Sequence, residues 1–271
     1  MKHEMKLLAA SALLVASSAA NANVIDLFST DQAFLVDSTT AAGGTLSDGG
    51  LSSWVDSAGG DILGGSRDLY VETFTQTVED NIGMNTNIGV GGDSFFFSVT
   101  AGATGMGVVQ WDGADHSAAL DIAGLGGFDL TFGGSINSFV IDVVSADLGF
   151  NFVVGAYTDA DNWTEASLFS NAGTGTATIS FADFGNCGLS NPPPGGNIDL
   201  ISCGGVGGDQ AVDFSNLGAL QVIISPGGNS GTLDMRLEAI TVPEPSVLGL
   251  MGVGLLGAGF AARARRNKKA A

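Results

Sequence analysis

Positive charge is what this 271-residue chain has least of outside its two ends. Between residues 23 and 245 the basic side chains are Arg67 and Arg236, set against 27 aspartates and glutamates, a formal charge of −25. A surface of that sign repels phosphate backbones and argues against nucleic acid as a partner. It suits divalent cations, or simple solubility outside the cell. Histidine is scarce too: apart from His3 there is His116, inside Asp112-Gly-Ala-Asp115-His116-Ser117. No G-x-S-x-G turn accompanies it, so a nucleophilic serine site is not supported and His116 reads as a polar loop residue. The two cysteines, Cys187 and Cys203, have no histidine nearby and cannot supply the four ligands of a zinc site. Sustained helical periodicity is also missing; only residues 31–36 suggest a turn or two of helix.

What the chain has in abundance is glycine, 42 residues, separating short apolar and β-branched runs. Runs at 24–28, 69–75, 94–100, 106–111, 128–132, 138–144, 150–157, 163–169, 177–181, 219–225 and 232–240 have the length and composition of strands. The last alternates cleanly, with Leu233, Met235 and Leu237 on one face and Asp234, Arg236 and Glu238 on the other. That is the pattern of a half-buried antiparallel strand. Many short strands joined by glycine turns predict an all-β, antiparallel sandwich with a jelly-roll-like arrangement, occupying residues 23–242.

Candidate chemistry within this body is sparse. In an oxidising compartment Cys187 and Cys203 are expected to form a disulfide, and closing the loop between them contributes roughly 3 kcal/mol in the chain-entropy picture. Asp159-Ala-Asp161-Asn162 places two carboxylates at i and i+2 before Trp163, an arrangement that offers hard oxygen ligands to calcium. The EF-hand glycine and glutamate are missing, and a solvated hairpin tip explains the same residues. Glu165, two residues after Trp163, would share its face in a strand. Gly204-Gly-Val-Gly-Gly-Asp209 fits one copy of a calcium-binding nonapeptide that works in tandem arrays, so Asp209 is a weak metal candidate. No cofactor is expected beyond this faint calcium signal. Trp54, Trp111 and Trp163, with Tyr70 and Tyr157, are the side chains a sugar-binding face would use, through ring stacking and polar tips. Trp163, beside the acidic turn, is the leading ring, with Asp159 and Asp161 as its polar neighbours.

The two ends carry addresses. Lys2 and Lys6, an apolar run at 7–16 and Ala20-Asn21-Ala22 form a Sec-type signal peptide, residues 1–22, directed to the Sec translocon. At the other end Pro243, Glu244 and Pro245 precede an uncharged run, 246–262, which as a helix spans about 25 Å, at the short edge for a membrane crossing. Arg263, Arg265, Arg266, Lys268 and Lys269 then hold the terminus in the cytoplasm. This three-part order resembles the PEP-CTERM sorting signal of Gram-negative bacteria, over residues 243–271. The resemblance implies recognition by exosortase, a membrane-embedded cysteine protease. It further implies an inner-membrane-anchored intermediate, released to the cell surface or the extracellular matrix. The layout of the body, with Gly64-Gly-Ser-Arg-Asp-Leu-Tyr-Val71 early and Leu233-Asp-Met-Arg-Leu-Glu-Ala-Ile240 last, is similar to the β-sandwich bodies of other PEP-CTERM proteins. Those bodies resemble carbohydrate-binding jelly rolls.

Three functions follow from this reading. The first is a non-enzymatic structural or adhesive protein of the surface polymer matrix. The second is a carbohydrate-binding module acting on exopolysaccharide, and the third a secreted hydrolase built on a carboxylate pair, which 27 acids leave open. The tail gives the sharpest test. Replacing Pro243-Glu244-Pro245 by three alanines leaves span and charges intact, so membrane insertion should persist. The variant should accumulate in the inner membrane, heavier than the exported form by residues 246–271. Release with the wild-type C-terminus would show that the triplet is not what the protease recognises.

Overall fold

Strand alternation in the last segment sets the pattern for the whole body. Leu233, Met235 and Leu237 are buried, 0–2% exposed, while Asp234 and Glu238 face solvent. The computed structural model describes residues 24–38, 50–74, 85–189, 198–226 and 232–242. The signal peptide, Pro243-Glu244-Pro245, the apolar run 246–262 and the basic cluster from Arg263 to Lys269 lie outside the described residues. Among the described residues no helix is long and apolar enough to cross a membrane.

The described strands, in chain order, are β1 (Val24–Asp26), β2 (Gln32–Ser38), β3 (Leu51–Asp56), β4 (Ser66–Phe74), β5 (Asn85–Val90), β6 (Phe95–Val99) and β7 (Thr104–Trp111). They continue with β8 (Ser138–Ala146), β9 (Phe150–Tyr157), β10 (Trp163–Ser170), β11 (Gly173–Ser180), β12 (Ile198–Cys203), β13 (Ala219–Pro226) and β14 (Leu233–Thr241). Two seven-stranded sheets result. The first runs β11-β8-β14-β6-β5-β2, with β1 pairing the end of β14 beyond β6; the second runs β12-β10-β9-β13-β7-β4-β3. Every pairing between these strands is antiparallel. Ile88, Phe95, Phe97, Phe139, Ile141, Leu233, Met235 and Leu237 of the first sheet are buried in one cluster with side chains of the second. The second contributes Leu69, Val109, Trp111, Phe152, Val154, Leu220, Val222 and Ile224. This is the all-β antiparallel sandwich that the strand pattern predicts.

Two expectations are corrected. Residues 128–132 do not form a strand: Phe128 makes one isolated bridge to Leu217, and the chain then turns. Gly126, Gly127, Phe132, Gly133 and Gly134 all have positive φ, and the Asp129 carboxylate accepts the N–H groups of Thr131 and Gly133. The run is apolar because Leu130 caps the core, not because it pairs. Residues 31–36 are not helical either; from Gln32 on they lie in β2, paired with β5, and Phe34 packs on Phe96 outside the first sheet. In addition β3, β5 and β12 form strands in stretches not expected to. β5 begins Asn-Thr-Asn, a polar run held by pairing on both sides.

A buried ion pair ties the two sheets together. Arg67 on β4 and Asp26 on β1 are both 0% exposed, with Nη1 donating to Oδ1 and Oδ2 at 2.9 and 3.0 Å. Arg67 Nε donates to Gln32 Oε1 at 2.9 Å and Nη2 to the Thr30 carbonyl at 2.7 Å. Asp26 also accepts the Trp111 indole N–H at 2.9 Å and the Phe28 N–H at 2.8 Å. The carboxylate and guanidinium are thereby satisfied from both layers, the condition under which a buried pair is tolerated. Cys187 and Cys203 are joined as a disulfide, which fastens the end of β12 to the chain that follows the short 3-10 turn Asp183–Gly185. Arg67→Met, measured by denaturant unfolding, should cost about 3–5 kcal/mol, because it leaves Asp26 charged and uncompensated in the core. A loss below about 1 kcal/mol would place the pair outside the determinants of stability.

Candidate functional site

Register fixes which side chains of the second sheet point away from the core. Leu69, Val109, Leu220, Val154, Ala166 and Ile201 face inward, so their neighbours along each strand face out. One outward row runs Trp54, Asp68, Gln110, Gln221, Gly155, Glu165 and Ser202 across all seven strands. A second outward row contains Asp56, Ser66, Ala219, Tyr157 and Trp163. A third contains Ser52, Tyr70, Val108, Ile223, Val153, Ser167 and Leu200. Trp54, Tyr70, Tyr157 and Trp163 therefore share one face. The remaining aromatic of the five, Trp111, sits in the core with its N–H on Asp26. From Trp54 on β3 to Trp163 on β10 is five strand spacings, about 24 Å measured across the strands.

The aromatics are held by polar contacts, with Trp54 exposed, Tyr70 and Trp163 half-buried, and Tyr157, Gln110 and Gln221 buried. Tyr157 Oη donates to Glu165 Oε1 at 2.8 Å and accepts from Gln221 Nε2 at 2.6 Å. Burial, and then the neighbouring Glu165 carboxylate, raise the Tyr157 hydroxyl above its ordinary value, so it stays a donor. Its ring lies across β9 at Gly155, where a Cβ would stand 2.9 Å from the Tyr157 oxygen and 3.1 Å from Gln221 Cγ. Trp163 lies on Gly204 in the same way, with its Nε1 2.6 Å from where a Cβ would be. Tyr70 donates to Glu72 Oε2 at 2.8 Å and accepts from the Gly50 N–H at 3.2 Å. Trp54, 52% exposed, stacks on His116 with centroids 5.3 Å apart and planes 17° apart. His116 Nε2 in turn meets the Asp56 carboxylate at 3.0 and 3.1 Å. That contact, and then Ser66, hold Asp56 below the usual carboxylate range.

Residues 112–117 fold over one end of this face and bring three acids together. Asp68, Asp112 and Asp115 present carboxylate oxygens all within 4.8 Å of one another, the one such acidic group of three among the described residues. Asp68 and Asp112 are 2% and 1% exposed. Burial first, then Asp112 and Asp115, push Asp68 up to about 7. Burial raises Asp112 to about 6 against the pull of the Asp121 N–H.

The sequence-marked acids lie elsewhere. Asp159 forms a capped turn at the β9–β10 hairpin: its Oδ1 accepts the N–H groups of Asp161 and Asn162 at 2.9 Å and the Asn162 side-chain amide. Those bonds hold its carboxyl low. Asp159 and Asp161 are exposed at a hairpin tip, and Asp209 is exposed in the glycine turn that packs beside it. Glu165 does share the face of Trp163, as period-two alternation implies. Gln110 and Gln221, and the acids Asp68, Asp112 and Asp115, were not legible. The one available signal was a glutamine interrupting each of two apolar runs, Met106–Trp111 and Ala219–Ile224. Outside the first sheet a groove of about 350 Å³ is lined by residues that include Phe34, Phe96, Ser98, Ser145, Asp234 and Arg236. There Arg236 covers the Phe96 ring at 5.5 Å and donates to Ser94, leaving a surface with two phenylalanines and no hydroxyl-bearing ring.

Residues 241–266 match the PEP-CTERM protein-sorting motif. That motif implies export through a membrane-anchored sorting intermediate and processing by exosortase. Nothing among the curated proteins matches the chain. Among solved structures it is similar to a family 11 carbohydrate-binding module from Clostridium thermocellum in complex with a β-1,3-1,4-mixed-linked tetrasaccharide. The identity is 15%, over 71% of this chain and 95% of that one, with a TM-score of 0.33. A family 11 carbohydrate-binding module of the cellulosomal cellulase Lic26A-Cel5E of Clostridium thermocellum gives 14% identity, 77% and 95% coverage and a TM-score of 0.32. An exo-β-agarase gives 10% identity over 82% of this chain and 25% of its own, with a TM-score of 0.35.

Proposed function

We propose that this is an exported, exosortase-processed surface or matrix protein whose sandwich, of jelly-roll type, adheres to extracellular polysaccharide along the outer face of its second sheet. The observation that carries the reading is the convergence of Trp54, Tyr70, Tyr157 and Trp163 on that one face, with glutamines and carboxylates between them. The rings that solvent reaches, exposed Trp54 and half-buried Tyr70 and Trp163, suit sugar C–H surfaces, and half-buried Glu165 suits hydroxyl groups, while Tyr157, Gln110 and Gln221 are buried and support them from below. Trp54 and Trp163 stand about 24 Å apart measured across the strands, a separation that fits several units of a chain better than one small molecule, which a closed pocket would enclose. The structural or adhesive role and the carbohydrate-binding role become one function in this reading: adhesion through glycan contact.

A hydrolase is not favoured. It requires two carboxylates reachable by a glycosidic oxygen. Asp68 and Asp112 converge, but at 2% and 1% exposure they are closed to a substrate. The processing step fits the body's geometry. Val242 is 2% exposed at the end of β14, and Pro243 follows directly, so little chain separates the sandwich from the triplet.

Affinity electrophoresis in gels containing the producing cell's own exopolysaccharide tests the reading. The exported protein should be retarded. Trp54→Ala and Trp163→Ala should each weaken retention at least tenfold, about 1.4 kcal/mol. Phe34→Ala, on the outer face of the other sheet, should behave as wild type. Equal migration with and without polymer, or a loss confined to Phe34→Ala, would overturn the assignment.

A further inference from the structure

We propose that Asp68, Asp112 and Asp115 form a calcium site that pins residues 112–117 to the outer face of the second sheet. The argument starts from unsatisfied atoms. Both carboxylate oxygens of Asp68, and Oδ1 of Asp112, are buried without a hydrogen-bond partner. Asp112 Oδ2 accepts the Asp121 N–H at 2.8 Å, so Asp112 is oriented by one oxygen and presents the other. Buried carboxylates are normally bonded, and three acids in one place repel one another unless a proton or a cation joins them; a cation would also satisfy the oxygens left without donors. Among the described residues no arginine is directed to the group. Arg67, next in sequence to Asp68, points to the opposite face and is committed to Asp26. Arg236 is on the other sheet beside Ser94 and Phe96. The remaining arginines and the lysines lie outside residues 24–242. His116 is turned to Asp56 and stacked on Trp54.

Ligand chemistry selects the ion. The carboxylate oxygens fall within 4.8 Å of one another, close enough to share one cation. Calcium accepts irregular oxygen cages at about 2.3–2.6 Å, whereas magnesium demands near-octahedral geometry and keeps its waters, so carboxylates gathered from two strands and a loop suit calcium better. The donors are all hard oxygens, with neither sulfur nor imidazole in the group, which suits calcium and not zinc or copper. Asp68 and Asp112 come from adjacent strands β4 and β7, and Asp115 from the segment beyond β7. The ion would thus tie that segment to the sheet and fix His116 beneath Trp54. These are not the acids the sequence marks at 159, 161 and 209.

Isothermal titration of the exported protein, stripped with EDTA, tests the site. Calcium chloride should titrate to one ion per chain, with a Kd on the order of 10⁻⁴–10⁻³ M as for extracellular modules, and magnesium chloride should bind at least tenfold more weakly. Asp68→Asn should abolish the heat of binding. Asp115→Asn, at an exposed position that leaves the fold intact, should weaken binding at least tenfold. Asp159→Asn and Asp209→Asn should titrate as wild type. Absence of calcium binding by the wild type, binding unchanged in Asp115→Asn, or loss only in Asp159→Asn or Asp209→Asn would overturn the proposal. Its outcome is independent of polysaccharide retention, since ion stoichiometry is read without polymer.

Discussion

The charge pair buried between the sheets, Arg67 against Asp26, is the constraint from which the rest of the arrangement follows. Each group alone in the core would be costly, so neither sheet can present its half without the other. Gln32 and Thr30 on the first layer complete the guanidinium's bonds, and Trp111 on the second completes the carboxylate's. Docking is thereby specified in register as well as in contact. With Arg67 held inward, period-two alternation forces Asp68 outward, and with Trp111 inward Asp112 must also point out. The outward acids and the inward ion pair are two consequences of one register.

The same register explains why the aromatic face exists. Trp54 opposes Asp68, Gln110 opposes Asp68 from the other side, and Gln221 continues the row to Gly155 and Glu165. A slip by one residue on any strand would carry its polar residue into the core. Glycine serves this face where rings lie flat: Gly155 under Tyr157 and Gly204 under Trp163 admit the rings because no Cβ stands in the way. Substituting either would displace the aromatic before it disturbed the backbone pairing.

Legibility in the sequence followed from how local each signal was. The sandwich was readable because alternation and glycine turns act within a few residues; β14 carries its buried and exposed faces in its own composition. The strands not anticipated, β3, β5 and β12, have weaker patterns and are held by neighbours far along the chain. Phe128 and Leu130 misled because core contact, not pairing, explains their apolarity. The disulfide was readable from a lone pair of cysteines in an exported chain. The aromatic set was marked by residue type, yet only topology reveals that four of the five share a face while Trp111 does not. The acidic group at 68, 112 and 115 was invisible, since its members are joined by strand pairing and by a loop that folds back.

Two tryptophans on the outer face and one in the core offer the most direct measurement of where a polysaccharide binds. Indole N–H resonances of the exported protein can be followed during titration with oligosaccharides cut from the exopolysaccharide. The Nε1–H signals of Trp54 and Trp163 should move progressively and saturably. The signal of Trp111, bonded to Asp26 at 2.9 Å inside the core, should stay in place. Saturable binding that leaves Trp54 and Trp163 unmoved would contradict a glycan-binding role for this face.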